Sequence, residues 1–394
     1  MDYHKTQTLM RLNSMNIALV NHGTASEWSG GDSVQIKETA RRLAQRGHRV
    51  SIQNSDRPDI ADADLVHIFN CRVHQSFIQQ IAVCHAAGKP VVVSPIWISI
   101  GRALWGSRGT MAVLNKAMRE GEAAARSELE QLRHRELIVA LDQGTLNAEG
   151  TGTYDFSWVK EVRQLLQGVQ GLLPNSWLEL KAVQSDLHWS GDAFEVAHYG
   201  VDPALFLDAD PEPFRRHTGI QGPFVLQAGR VEAGKNQAML CWALRNSKLP
   251  IVLIGGTRHW PGYADLCRAI GGDRLTLIDH LPQELLASAY AAARVHCLAS
   301  WMDTCGLVSL EAGLSGTPLV GSTFGHELEY LQGDAWLADP GDPASLLRAV
   351  EAAWHAGQHS ERPLRLKQRI MAEFNWERTA SATESLYKRV IENA

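Results

Sequence analysis

Short, continuously apolar runs alternate with longer amphipathic stretches along almost the whole chain. In the first half, NIALVN (16–21), RVSIQ (49–53), LVHIFN (65–70), PVVVSP (90–95), GLLPNS (171–176) and FEVAHYG (194–200) read as strands. In the second half, FVLQAG (224–229), IVLIGG (251–256), LTLIDH (275–280), VHCLAS (295–300) and PLVGS (318–322) do the same. Strands that lack polar alternation are covered on both faces, as in a parallel sheet between helices. The pattern therefore predicts an α/β protein with doubly wound parallel sheets. Ile36, Ala40, Leu43 and Ala44 fall on one face of a first helix over 32–46, and Gly47 closes it.

The periodicity lapses between Pro203 and Gly222 into a connector rich in proline and charge. It divides the chain into a polar tail (1–14), a first domain (15–202), a second domain (203–374) and a terminal helix within 375–394. Two such domains joined once leave a cleft between the carboxyl ends of their strands, the place where open α/β sheets bind ligands. Residues 100–150 break the alternation, and the stretch from Gly101 to Arg135 looks helical and carries Arg102, Arg108, Lys116, Arg119, Arg126, Arg133 and Arg135. It reads as a solvated face. The alternative, an acceptor or weak membrane-surface patch, draws on the nearby Trp97 and Trp105.

Composition narrows the class. The 394 residues carry a formal net charge of −5, which argues against nucleic-acid binding. Six cysteines are scattered without a Cys-x-x-Cys pair or zinc-like spacing, as expected of free thiols in a reducing cytoplasm. There is neither a signal-like start nor an apolar run of spanning length, so the expected location is cytoplasmic, at most peripheral at the inner membrane face.

Candidate chemistry gathers where strands end. After FVLQAG comes Gly229-Arg230-Val231-Glu232-Ala233-Gly234-Lys235, with two cations five residues apart on one loop. A guanidinium fork and an ammonium suit a diphosphate whose charge grows as a leaving group departs. After VHCLAS, Asp303 stands in a loop and Glu311 lies eight residues on, in a helix opening near Gly306, Leu307 and Val308. The helix N-terminus offers backbone N–H groups to phosphate, and the two carboxylates offer acceptors to sugar hydroxyls. Gly30-Gly31 follows the first strand and permits close backbone approach, but it is not a dinucleotide fingerprint. The triplets Asp62-Ala63-Asp64 and Asp208-Ala209-Asp210 read as solvated loop acids, so no metal is expected.

In order, the chain shows SGGDSVQIKETARRLAQRGHRV, YGVDPALF, GRVEAGKN, the long segment from DHLPQELL to ELEYL, and ADPGDPASLLRAV. This succession over 16–390 resembles the retaining GT-B glycosyltransferases, specifically glycosyltransferase family 4. The resemblance implies two Rossmann-like domains, the first on the acceptor side and the second binding a nucleotide-sugar donor, with the terminal helix (375–392) crossing back to the first. It assigns the donor diphosphate to Arg230 and Lys235, and the ribose to Glu311. It assigns the donor sugar to Asp303 with the backbone at Gly306, Leu307 and Val308, and the donor phosphate or acceptor to Gly30 and Gly31. Arg230, Lys235 and Asp303 are then the catalytic candidates. It also implies transfer with retention to an unidentified hydroxyl acceptor.

Two features depart from the family pattern. The first acid is Asp303, one methylene shorter than the usual glutamate. No histidine follows the fourth strand, where VVVSPIWISIG stands, leaving Ser94 or the Trp97 region as weak substitutes. The paired glycines expected before Glu329 read Gly325-His326, with His326 expected in solvent. Rival readings are a nucleotide-sugar 2-epimerase of the same architecture, a catalytically silent sugar-nucleotide-binding module, and a two-domain periplasmic binding protein.

Overall fold

The computed structural model describes residues 14–25, 30–134, 145–148, 152–258, 260–301 and 303–393. The expected tail over 1–13, Arg135 and the side chains of Arg102, Trp105 and Arg133 lie outside the described residues. Two parallel sheets form the frame. The first contains β1 (Asn16–Asn21), β2 (Arg49–Asn54), β3 (Leu65–Phe69), β4 (Val91–Ser94) and β7 (Gly171–Leu172), in the order β2-β1-β3-β4-β7. The short strands β5 (Thr145–Ala148) and β6 (Gly152–Asp155) pair as a separate antiparallel hairpin. The second sheet contains β8 (Val225–Ala228), β9 (Ile251–Ile254), β10 (Leu275–Ile278), β11 (Val295–Leu298), β12 (Leu319–Ser322) and β13 (Trp336–Ala338), in the order β10-β9-β8-β11-β12-β13. β3, β4, β8, β9, β11 and β12 are buried along their whole length, which is why they read as unbroken apolar runs.

The strand order reverses between β1 and β3 in the first sheet, and between β8 and β11 in the second. Such reversals splay the connecting loops apart and open a crevice at the strands' carboxyl ends. Helix α1 (Gly31–Gln45) leaves the first crevice, and α2 (His74–Ala86) follows β3.

Two expectations need correction and one gains detail. FEVAHYG (194–200) is not a strand. It makes one bridge, Leu172 with Phe194, and then leaves the sheet as an extended connector. Its backbone finds other partners: Tyr199 N–H donates to Tyr330 Oη at 3.1 Å, and Val201 N–H to the Phe374 carbonyl at 3.1 Å. The helical stretch over 101–135 is two helices, α3 (Ile100–Glu120) and α4 (Glu122–His134), because Gly121 adopts φ +92° and turns the chain. GLLPNS keeps only Gly171–Leu172 in the ladder, since Ser176 caps α6 (Trp177–Leu187) by accepting from Glu179 N–H at 3.0 Å; α5 (Trp158–Gln167) precedes β7.

In the second domain, α7 (Pro203–Phe206) and α8 (Glu212–Thr218) lead into β8. They are followed by α9 (Gln237–Ala243), α10 (Pro261–Gly271), α11 (Gln283–Ala292), α12 (Leu307–Leu314), α13 (Glu327–Leu331), α14 (Pro343–Ala356) and α15 (Glu361–Glu373). The last helix, α16 (Trp376–Glu392), lies against the first domain. Its Tyr387 hydroxyl meets His67 Nδ1 at 2.6 Å, its Glu384 holds Arg46 of the turn after α1 at 2.6 Å, and its Leu386 and Val390 cover Gly171.

Candidate functional site

The two crevices face one another across a cavity of about 610 Å³. Gly30 and Gly31 line it from the first domain, and Arg230, Lys235, Asp303, Gly306, Leu307, Val308 and Glu311 from the second. A Cβ placed on Gly31 would stand 3.5 Å from Leu307 Cδ1, so the glycine loop and the N-terminus of α12 are in direct apposition. The structure thus brings these nine sequence-derived candidates to one wall or the other of a single cavity.

The second-domain wall is held rigidly. Gly229 leaves β8 at φ +126°, and Gly255, at φ +155°, packs so close that a Cβ on it would lie 2.0 Å from the Gly229 carbonyl oxygen. No other residue fits there without moving the loop. Arg230 is 40% exposed at its side chain and leans on Glu232, Nε to Oε2 at 3.3 Å. Lys235 closes a short 3-10 turn, its carbonyl held by Gln227 Nε2 at 2.6 Å. Asn236 ties the same turn to the carbonyls of Ala299 and Pro340, both at 2.9 Å. The ends of β8 and β11 are therefore locked together beneath the cations. Lys235 Nζ forms an ion pair with Asp303 Oδ1. Asp303 is only 7% exposed, and its Oδ2 is buried without a hydrogen-bond partner.

Gly306, at φ +63°, turns the chain into α12, and its carbonyl takes the N–H groups of Ser309 and Leu310. The N–H groups of the opening turn are those a helix leaves without a backbone partner, and Val308 and Leu307 stand at the cavity wall. Beneath this turn lies Glu327, fully buried, accepting from Ser322 N–H at 2.8 Å and from Ser309 Oγ at 3.4 Å. A Cβ on Gly306 would meet its Oε2 at 2.6 Å. Burial first, and the nearby Asp303 second, push the Glu327 carboxyl up to about 8. Glu311 accepts from the Tyr290 hydroxyl at 2.8 Å, and burial raises its carboxyl to about 7 despite that hydrogen bond. His296, on β11 beside β8, is pushed down to about 3 by burial.

The first-domain wall contains residues that sequence reasoning missed: His22, Asp32, Asn70, Arg72, Ile96 and Tyr199. His22 Nε2 lies 3.7 Å from Asp32 Oδ2, and Asn70 Nδ2 reaches the same oxygen at 3.4 Å. Burial works to raise the Asp32 carboxyl, but bonds from His22 and the Ser33 N–H prevail and hold it below its ordinary value. Arg72 Nε is buried without a hydrogen-bond partner; burial lowers the guanidinium, opposed by the fields of Cys71, Asp32, Glu179 and Tyr199. A signal existed for part of this group. Asp32 follows Gly31 directly in the first turn of α1, and Asn70 to Arg72 leave β3 beside the strand-order reversal.

The remaining weak candidates fall elsewhere. Ser94 is buried and bonded to His67 Nε2 at 2.9 Å, and the Trp97 indole donates to Asp186 at 3.0 Å, so neither lines the main cavity. The position facing the cavity after β4 is Ile96, at φ +49°, steadied by Glu179, which accepts from Trp97 N–H at 2.7 Å. His326 is half-buried rather than fully solvated: burial brings its imidazole down to about 4, and its Nδ1 is buried without a hydrogen-bond partner. The two acidic triplets stand outside the cavity, with Asp64 holding Asn16 N–H at 2.8 Å and Asp208 pairing with Lys367 at 3.1 Å. All six cysteines are free and buried.

Comparison with known proteins agrees with this geometry. The family described as "Glycosyl transferases group 1" matches residues 222–355, the span that holds Arg230, Lys235, Asp303 and Glu311. The D-inositol 3-phosphate glycosyltransferase of Kribbella flavida is 30% identical over 220 residues. That match covers 50% of this chain and 51% of the relative, so the chain spans about half the relative's length. Sucrose-phosphate synthase from Thermosynechococcus elongatus shares the fold at a TM-score of 0.69 with 17% identity, covering 96% of this chain and 100% of that one. Anabaena HepE, in complex with UDP and glucose, does so at 0.67 with 14% identity, covering 95% and 99%. Residues 222–355 of the second domain therefore match the group 1 glycosyltransferase family, and the two sheets share the GT-B fold of these solved structures.

Proposed function

We propose that the protein moves a sugar from a nucleotide-sugar donor to an acceptor hydroxyl with retention of anomeric configuration and without a metal. The observation that carries this reading is the convergence of Arg230, Lys235 and the α12 N-terminus on one cavity, opposite Gly30-Gly31. Two side-chain cations and oriented backbone N–H groups supply positive charge where the departing diphosphate becomes more negative. That is the charge a divalent cation would otherwise provide.

Lys235 spends one of its three donors on Asp303, leaving the others for phosphate. Asp303 Oδ2, buried and unpartnered, is a free acceptor for a sugar hydroxyl. Glu311 takes the ribose, with Tyr290 fixing its carboxyl. The acceptor hydroxyl attacks on the face the diphosphate leaves, and its proton passes to a departing phosphate oxygen, so no enzymic nucleophile is needed. Ile96 is the residue that faces the cavity after β4, and no histidine stands in VVVSPIWISIG, in keeping with a reaction run by charge stabilisation rather than by a side-chain base.

The test is calorimetric binding of UDP, GDP and ADP, followed by hydrolysis and transfer with the matching sugar donors in EDTA. One nucleotide binding at micromolar affinity and a product of unchanged anomeric configuration are expected. Absence of nucleotide binding in a folded protein, or inversion, would overturn the reading.

A further inference from the structure

A second, smaller cavity of about 250 Å³ adjoins the first and shares one residue with it, Asp303. Its remaining walls come from both domains. Ile98, Ser99 and Ala103 stand at the start of α3 and Leu178 on α6; Trp301, Thr323, Phe324, Gly325, His326 and Leu328 face them. We propose that this cavity anchors the acceptor, and that it takes a compact apolar group bearing one neutral hydrogen-bonding function. The inference rests on the glycosyl-transfer reading and specifies the acceptor's chemistry.

The lining decides the class. Ile98, Ala103, Leu178, Trp301, Phe324 and Leu328 present carbon, and among the described residues Asp303 is the sole charged side chain on the wall. A phosphate or carboxylate would lose its water here and face the Asp303 carboxylate. A bare sugar ring would bury more hydroxyls than the wall can satisfy. An apolar body loses nothing by entering.

The polar groups are few and specific. Trp301 Nε1, Asp303 Oδ2 and His326 Nδ1 are each buried without a hydrogen-bond partner. Buried polar atoms are nearly always paired, so the orphans on Trp301 and His326, which remain once the donor sugar uses Asp303 Oδ2, call for a ligand that completes them. An indole N–H donates, and a neutral imidazole does either. One hydroxyl or amide on an apolar ring matches that set.

The pocket is also preformed. The Trp301 ring lies against Gly106 of α3, where a Cβ would come within 2.4 Å of Cε3. Trp301 N–H donates to the Gly234 carbonyl at 2.9 Å, and its ring sits 5.1 Å from that of Phe324. His326 N–H donates to the Asp303 carbonyl at 3.2 Å, tying the two loops together. Arg230, Lys235 and Gly306 line only the larger cavity, which places the diphosphate on one side of Asp303 and this pocket on the other.

The experiment uses the full chain and three probes, 1-naphthol, indole and cyclohexanol, with binding measured by calorimetry and ligand-observed NMR. Ser99→Trp and Thr323→Trp fill the pocket from its exposed rim; the Ser99 side chain caps nothing, so the helix does not depend on it. At least one probe should bind the unaltered protein, and either substitution should weaken it tenfold or more while nucleotide affinity stays within twofold. Saturating nucleotide and saturating nucleotide sugar should both leave probe binding in place. If no probe binds, or if both substitutions leave probe binding unchanged, the pocket assignment falls. Displacement by the intact nucleotide sugar but not by the nucleotide would give the pocket to the donor's sugar and overturn the acceptor assignment. Failure of every nucleotide to bind would instead strike the glycosyl-transfer reading, whatever the probes do.

Discussion

The two walls of the cleft face the same cavity but are built on opposite principles. On the second-domain wall, cations sit on short loops directly beyond strand ends: Arg230 partly exposed, Lys235 on a locked 3-10 turn. On the first-domain wall, polar groups from β1, α1 and β3 satisfy one another: His22 with Asp32, Asn70 with Asp32, Tyr199 with Gln35. The first arrangement leaves charge available to a ligand. The second pairs most of its polar groups internally, Arg72 Nε and Asn70 Oδ1 excepted, and shapes the cavity. This difference predicts that the chemistry is concentrated on one wall, and substitutions in each can break or sharpen that claim.

The largest effect belongs to the second-domain cations. Lys235→Ala and Arg230→Ala should each lower the turnover number by 10² to 10³, on the order of 3 kcal/mol of transition-state stabilisation. Steady-state kinetics on folded variants checks this, and near-normal turnover in either would remove the basis of the comparison. Arg72→Met should cost less, about tenfold in transfer or ~1.4 kcal/mol, with nucleotide affinity within twofold. Arg72 already faces the compensating charge of Asp32 and Glu179, so less of its field reaches a ligand. A loss as large as that of Lys235→Ala would mean that the first wall takes part directly in charge stabilisation.

How much of this was legible follows the same division. Arg230, Lys235, Asp303 and Glu311 are fixed by sequence-local events: a strand ends, a turn is forced by glycine, a helix begins. Short-range spacing therefore carries their positions. Strand identity was also readable for β8, β9, β11 and β12, since burial on both faces leaves a continuous apolar run. FEVAHYG misled because its His198 and Tyr199 rings pack against Tyr330, Phe374 and Trp376 rather than the segment pairing in a sheet, a fact of tertiary packing that period alone does not reveal. The first wall was hidden for a related reason. Arg72 acquires its role only when β3 lies beside β1 and α6 brings Glu179 underneath, contacts separated by tens to more than a hundred residues. His326 looked like a surface loop residue because nothing local says that α3 and α6 will close over it.

A third effect sharpens how the second wall is supported. Glu327 lies beneath the Gly306 turn, its carboxyl raised to about 8 by burial and by Asp303, with Lys235 acting in the other direction. A carboxyl raised on folding binds its proton more tightly in the native state. Its stabilising contribution is therefore complete below the ordinary value of 4.5 and is lost as pH climbs through about 8. Stability should fall across that window with a slope of up to about 1.4 kcal/mol per pH unit from this one group. Glu327→Gln keeps the shape and removes the titration, so denaturant midpoints measured from pH 5 to 9 should flatten. An unchanged slope would show that the Gly306 turn rests on other contacts.

The smallest effect concerns the strap that carries α16 back to the first wall. Glu384 receives Arg46 at 2.6 Å and Lys388 at 2.6 Å, and lies 3.4 Å from His48 Nε2. Burial works to raise its carboxyl, but the hydrogen bonds from Lys388 and Arg46 prevail and bring it down to about 2. The linkage here runs opposite to that of Glu327. Stability is present above 4.5 and lost as pH falls toward about 2, because the native state resists the proton that the unfolded chain accepts. The pair sits near the surface, where solvent screens the attraction, so Glu384→Gln should cost about 1 kcal/mol at neutral pH. The cost should shrink in acid, as the unaltered protein loses the same charge. Thermal unfolding of both proteins at pH 3 and pH 7 measures the difference. Nucleotide affinity should not move, since no atom of this cluster reaches the cavity. If it did move, α16 would be coupling the first domain's position to the second domain's donor wall, and the two walls could no longer be treated as independent.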